Sequence, residues 1–354
     1  MRRGSKTVLE RSEWILRADA HRRRVRDLLG GIFYDREVHD KHPIYNFIFN
    51  YYRFRPHRTI ERYSPGLDFG LKNESDDDES LYLPSSKYLS MNDGCTEIDP
   101  VKSLNEKSVT RIRNLHTLLE IVQRRPPNFS CFGVHEFAML YSGARHSYYQ
   151  KNVLKLRMTQ REIDSIVERA PITCTHFDAT RHFPETIASR VKTSPSLRIK
   201  NEQAGCVHTN LDLFKYALRL FPFASSELVA DALELAIRAR ELDMRASPYD
   251  LSSVDVTELR YDFDLTPILI ETESGRTKFK NLTMDLYRDS LPIRDRIIKV
   301  ASSILQIASL SSPSCRHLKF VSCVPCLMRS QERAEKARLL QVVSWSISAL
   351  FPVH

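Results

Sequence analysis

The sequence predicts a mainly α fold: one large helical domain around a central antiparallel helix hairpin, with a few short strands. Three observations predict it. Most segments long enough to judge repeat their apolar residues at the helical rather than the alternating period. Two consecutive stretches, HTNLDLFKYALRLF at 208–221 and SSELVADALELAIRARELD at 225–243, are apolar over more than half a helical circumference, which belongs to helices surrounded by neighbours. The ten glycines never gather into GxGxxG or GxxxxGK[ST], so neither nucleotide-binding loop is present and no Rossmann or P-loop enzyme is expected.

Taken in order, a first helix is expected over 7–29, with Leu9, Trp14, Leu16, Val25 and Leu28 among its apolar positions. A second is expected over 43–54, opened by Pro43 where a missing N–H costs nothing. Between 73 and 103 the character changes: NESDDDES holds five acids in eight residues, and LPSSKYLSMNDG follows. Clustered like charge resists burial, so this segment is read as an exposed loop inserted between residues 1–72 and 104–300 of the main domain. Further helices are expected over 104–124, 131–142 and 159–169, and short strands at PITCTHF and PILIE. In the hairpin, Thr209 and Asp212 have a spacing like that of a capping box. The short FPFAS turn makes its two helices antiparallel neighbours.

The chain has 354 residues, enough for a sizeable core, and its 42% hydrophobic and 27% charged content is that of a globular protein. No run approaches the roughly 18 apolar residues of a bilayer span, and acids interrupt the basic start where a signal peptide would be apolar. Seven scattered cysteines fit reduced thiols, so a soluble, intracellular protein is expected, with no membrane partner. The net charge of +9 favours DNA or another phosphate-bearing ligand. Nine basic residues, against four acids, lie in the first 30 positions.

The candidate chemistry lies in charged stripes and short polar clusters. Asp212, Lys215 and Arg219 recur on the first hairpin helix; Glu227, Asp231, Glu234, Arg238 and Glu241 recur on the second, which ends in Asp243, Arg245, Tyr249 and Asp250. The stripes face either solvent or a shared cleft, and buried charges require partners that this mixture of acids and arginines can supply. Upstream, CTHFDATRHF puts His176, Asp178, Arg181 and His182 within seven residues. On a strand His176 and Asp178 would share a side, a geometry suited to metal ligation or to orienting a water. Of His135 and Glu136, adjacent on a helix, at most one is expected to face a common site. Tyr51, Tyr52 and Arg53 end an aromatic run of the kind that stacks on nucleobases and holds phosphate. Near the C-terminus Cys315, His317, Cys323 and Cys326 form a loose zinc-site pattern.

Together HPIYNFIFNYYRFRP, CFGVHEFAMLY, CTHFDATRHF, EQAGCVHTNLDLFKYALRLFP, SELVADALELAIRARELDMRASPYDL and PILIETESGR resemble a mostly bacterial family commonly labelled 3-methyladenine DNA glycosylase, distinct from the helix-hairpin-helix type. The resemblance runs from about residue 12 to 300, interrupted at 73–103, and leaves 301–354 as a C-terminal extension. It implies hydrolysis of the N-glycosidic bond of an alkylated purine flipped out of DNA. Under that implication Asp178 or Asp243, with His176 and His208, is expected to be catalytic. Tyr51, Tyr52 and Tyr249 would stack on the base, and Arg53, Arg181 and Arg245 would contact phosphate. The competing expectation is an all-α metalloenzyme holding iron or manganese on His176, Asp178, His208, Asp212, Asp231 and Glu234, with zinc as the ion for the C-terminal cysteines. A non-enzymatic scaffold would leave the charges as stabilising ion pairs.

Overall fold

A computed structural model describes residues 6–30, 42–45, 60–72, 83–92, 94–144, 154–256 and 259–311. Tyr51, Tyr52, Arg53, the C-terminal set Cys315, His317, Cys323 and Cys326, and most of the helix expected over 43–54 lie outside the described residues.

The fold is mainly α with one small sheet. Its frame is α1 (Arg11–Leu29), α2 (Glu106–Arg124), α7 (Val207–Leu220), α8 (Ser226–Arg245) and α9 (Glu273–Ser311). Shorter helices α3 (Val134–Ala138), α4 (Gln160–Arg169), α5 (Phe177–Thr180) and α6 (Arg198–Asn201) lie between α2 and α7. The hairpin α7–α8 is the expected centre: α9 packs on both its members and on α2, and α1 packs on α8. Leu211, Leu213, Phe214, Ala217, Leu233, Ala236, Ile237 and Ala239 are fully enclosed there. Each leucine, isoleucine and phenylalanine among them contributes on the order of 1.5–3 kcal/mol by leaving water.

Helix starts follow local chemistry. Asn105 and Ser108 make a reciprocal capping box on α2, as do Thr159 and Glu162 on α4, and Ser225 Oγ accepts from Leu228 N at α8. Cys206 rather than Thr209 precedes α7, with no side-chain cap; Asp212 turns instead into a buried cluster. The segment 7–29 divides into β1 (Thr7–Leu9) and α1; Trp14 is buried and donates to Lys72 O at 3.0 Å, while Leu16 points outward.

The expected loop over 73–103 is in part a sheet. β3 (Leu89–Asn92) and β4 (Cys95–Ile98) form a hairpin that extends β2 (Phe69–Lys72), which runs parallel to β1, giving the order β1-β2-β4-β3. Gly94, just before β4, has φ +76°, a left-handed backbone that glycine adopts without strain. Leu89, Thr96 and Ile98 are buried, so this part belongs to the domain. The expected strands at PITCTHF and PILIE are irregular apart from the start of α5, so His176 and Asp178 do not share a strand face. The longest helix, α9, has no counterpart in the sequence reading; it continues past 300, with Ala301 and Ile304 fully buried. Among the described residues no helix is long and apolar enough to cross a membrane.

Candidate functional site

Three segments converge on a buried polar site beside the hairpin: the turn before α3 with α3 itself, the irregular stretch 173–176 before α5, and the turn 203–206 that opens α7. The last is clamped by Gln203, which accepts from Asn128 N at 2.8 Å and Gly205 N at 2.6 Å and donates to Asn128 O at 3.0 Å. Asn128, Cys131, His135, Thr173, Cys174, Thr175, His176, Ala179, Gln203, Cys206 and His208 line a cavity whose free space, about 10 Å³, takes one water-sized sphere.

At its inner wall His135 Nε2 lies 2.6 Å from Asp243 Oδ1 on α8, with 3% and 1% of the two side chains exposed. Arg240, one turn earlier, donates to Asp243 Oδ2 at 2.7 Å and to Glu136 Oε1 at 2.8 Å. Burial opposes the charge on Asp243, but His135, His208 and Arg240 outweigh it and hold the carboxyl well below its ordinary value. His135 is raised well above its own against burial, chiefly by Asp243. Burial raises Glu136 despite Arg240.

The bond to Asp243 leaves His135 Nδ1 facing Cys131, whose Sγ is 3.7 Å away; Cys174 Sγ is 3.4 Å from Cys131 Sγ. Donation by the Cys174 thiol, helped by His135, lowers Cys131 well below the usual thiol value, while that bond and burial raise Cys174. Burial pushes Cys206 up to about 12. The His208 ring sits edge-on to His135 at 4.6 Å between centroids and stacks on His176 at 5.4 Å. Burial, then the neighbouring His135, pushes His208 down to about 3, so it is neutral.

Beyond His176 lies a second cluster centred on Asp212. His176 Nε2 is 3.3 Å from Asp212 Oδ2, which also takes Lys215 Nζ at 2.5 Å, Arg198 at 3.4 Å and the Tyr216 hydroxyl at 3.2 Å. Arg198 is paired again with Glu202 at 2.6 Å. Burial works against ionised Asp212, yet Lys215, His176 and Arg198 hold it well below the carboxylate range. His176 Nδ1 is buried without a hydrogen-bond partner.

Of the expected catalytic residues, His176, His208 and Asp243 come together, and half-buried Asp178 lies by His176 and Asp212. Burial raises the Asp178 carboxyl, but Lys215, His176 and Arg198 more than offset this and lower it. The expected ligand set is divided, because Asp231 and Glu234 sit apart, paired with Arg24 of α1 at 2.6 and 2.7 Å, and Asp231 with Arg296 of α9 at 2.5 Å. Arg238 pairs with Asp289. The α8 stripe is thus a surface ion-pair seam, not a wall of the cleft. Arg245 bonds Thr266 O and Asp264, Tyr249 is buried beside its bridge to Leu156, and Arg181 pairs loosely with Asp178 at 3.9 Å; none lines the cavity. Asp250 lies outside it as well, where it caps Ser252 N.

Of His135 and Glu136 only His135 lines the cavity, yet both are buried in one network, because Arg240 bridges Glu136 to the carboxylate that holds His135. Cys131, Cys174, Arg240 and Arg198 carry no role in the sequence reading. A signal for the thiols was present: each segment of the site pairs a cysteine with a histidine, in C131-x3-H135, C174-x-H176 and C206-x-H208. No family model, curated protein or solved structure matches the chain.

Proposed function

We propose that the chain is a hydrolase whose attacking water sits in the cavity between Cys131, His135 and His208. One observation carries this reading: Asp243 fixes His135 by its Nε2 and so turns Nδ1 toward a cavity with room for a single water. A base oriented by a buried carboxylate is the arrangement by which an imidazole activates a nucleophile. The neutral imidazole of His208 supplies the proton acceptor, and the cluster on Asp212 holds His176 against it. The cavity is too small for a purine, so the reacting bond enters from the side of Asn128, Thr173 and Thr175.

The substrate of this reading is the N-glycosidic bond of an alkylated purine in DNA. It is supported by the resemblance of the chain's long motifs to proteins labelled as glycosylases and by the net charge of +9, which draws polyanions. An alkylated purine carries positive charge and leaves readily, so activated water suffices. Release of 3-methyladenine from alkylated duplex is measured under single-turnover conditions. Asp243→Asn is expected to slow it about 10²–10⁴-fold, the usual contribution of positioned acid–base groups. Equal rates for this variant and the parent protein, or no release by the parent, would sink the reading.

A further inference from the structure

We propose that Cys131, Cys174 and His135 hold a zinc ion whose fourth coordination position opens on the cavity. This deepens the hydrolytic reading by naming what activates the water, and rests on that reading only for the water's role. The seat for the ion stands on the donor atoms alone.

A tetrahedral ion with zinc–sulfur bonds of about 2.3 Å and zinc–nitrogen bonds of about 2.0–2.1 Å spans about 3.8 Å between two sulfurs and about 3.6 Å between sulfur and nitrogen. Cys131 Sγ and Cys174 Sγ are 3.4 Å apart, and Cys131 Sγ and His135 Nδ1 are 3.7 Å apart. These two separations need shifts of a few tenths of an ångström at most, and the donor atoms of Cys174 and His135 lie within 4.8 Å of each other. The donor set is soft, two thiolates and an imidazole, which selects zinc over magnesium or calcium. Asp243 on the far nitrogen orients the ring so that Nδ1 faces the ion, the carboxylate–histidine–metal arrangement. Cys206 lies outside the set of atoms within 4.8 Å of one another, so three protein ligands and one open position remain, the pattern of catalytic rather than structural zinc.

Two other groups of imidazoles and carboxylates are equally close but already contain a cation. His135, His208 and Asp243 would share Asp243 with the Arg240 guanidinium at 2.7 Å. His176, Asp178 and Asp212 have the Lys215 ammonium at 2.5 Å from Asp212. Only the thiolate set meets no lysine or arginine among these contacts. Binding releases two protons, one from the Cys174 thiol and one from His135 Nδ1.

The test uses the full chain with Cys315→Ser, Cys323→Ser and Cys326→Ser, so that the C-terminal thiols contribute nothing. The protein is stripped with a chelator and dialysed against zinc or cobalt, then examined by plasma mass spectrometry and absorption. The expected result is one ion per chain and an intense tetrahedral cobalt spectrum with thiolate-to-metal charge transfer. Cys174→Ser should weaken zinc binding by at least about 100-fold and Asp243→Asn by about 10–100-fold. If Cys174→Ser does not fold, the cobalt spectrum of the parent decides. The proposal is overturned if no ion is retained, if Cys174→Ser binds zinc as well as the parent, which means an adventitious ion only, or if the cobalt spectrum lacks the thiolate band. Bound zinc without base release upholds the ion and sinks the hydrolytic reading. Base release undiminished by stripping, but abolished by alkylation of Cys131, overturns the ion as activator and marks the thiolate as nucleophile.

Discussion

Arg240→Met removes a cation bonded to two buried carboxylates and leaves a side chain of similar reach. Arg240 is 1% exposed and donates to Glu136 at 2.8 Å, to Asp243 at 2.7 Å and to Pro43 O at 3.3 Å. Hydrogen bonds to charged groups contribute about 1.5–3 kcal/mol each, so losing the two carboxylate bonds amounts to about 3–6 kcal/mol. That brackets the roughly 3–5 kcal/mol measured when one partner of a buried ion pair is deleted. Methionine fills most of the vacated volume, so the cavity contribution is small. We expect a loss of about 3–5 kcal/mol at pH 8, a large part of the 5–15 kcal/mol typical of a domain.

The pH dependence gives the prediction its signature. Glu136 is already raised above its ordinary 4.5 by burial, and Arg240 is the main group opposing that rise. Without the arginine its folded-state value moves higher still. A carboxyl raised on folding contributes stability that is fully present below its unfolded value and lost as pH rises through its folded value. The deficit of the variant should therefore shrink between pH 8 and pH 5.5, as Glu136 takes up a proton, and Glu136→Gln in the variant should recover part of it at pH 8. Urea unfolding followed by circular dichroism at both pH values measures this. A deficit under about 1 kcal/mol at pH 8, or one of equal size at both pH values, would refute the reasoning, since a buried unpaired carboxylate costs more than that.

Three further outcomes are expected. In Gly205→Ala the new Cβ would meet Asn128 O at 2.8 Å and Asn128 N at 2.9 Å, backbone atoms that cannot swing away, so the clamp that sets Cys206 must open; a loss of about 1–3 kcal/mol is expected by thermal unfolding, and an unchanged melting temperature would mean the clamp does not constrain the turn. Glu241 is raised to about 7 by burial against Arg245, so its contribution is present below pH 4.5 and lost as pH rises to about 7; Glu241→Gln should flatten the stability profile in that window, and an unaltered slope there contradicts the assignment. Trp14→Phe strips Lys72 O of its 3.0 Å donor at the junction of α1 and the sheet, a loss of about 1–3 kcal/mol in urea unfolding; a loss no greater than that of an exposed substitution such as Leu16→Ala would show that the bond is replaced by solvent.

The hairpin was legible because α7 and α8 are apolar over so much of their surface that only a central position suits them. What could not be read was which charge of a buried helix points where. With about 100° per residue, Asp243 lies about 180° around α8 from Glu234. The same helix therefore offers one acid to the surface seam with α1 and α9 and another to the core, and a stripe defined by the commoner polar positions assigns both to one face. Arg240 separates the two cases only once its partners are known: an arginine has an apolar stem and is equally at home in solvent, so its burial depends on Glu136, some hundred residues earlier. α9 was hidden for another reason. Pro292 removes a hydrogen bond in mid-helix and normally ends one, yet Phe279, Leu286, Ile293, Ile297, Ala301 and Ile304 keep one face apolar through it, and packing along that face outweighs the local cost. The thiols were overlooked because cysteine carries no periodic signal. Cys131, Cys174 and Cys206 become a site only where the chain brings three short Cys–His segments together, and each segment taken singly is as readily a buried apolar residue beside a structural histidine. Recurrence was the information the sequence did hold: the segments of Cys131 and Cys174 supply two thiols and one imidazole whose donor atoms lie within 4.8 Å of one another, while Cys206 and His208 line the same cavity.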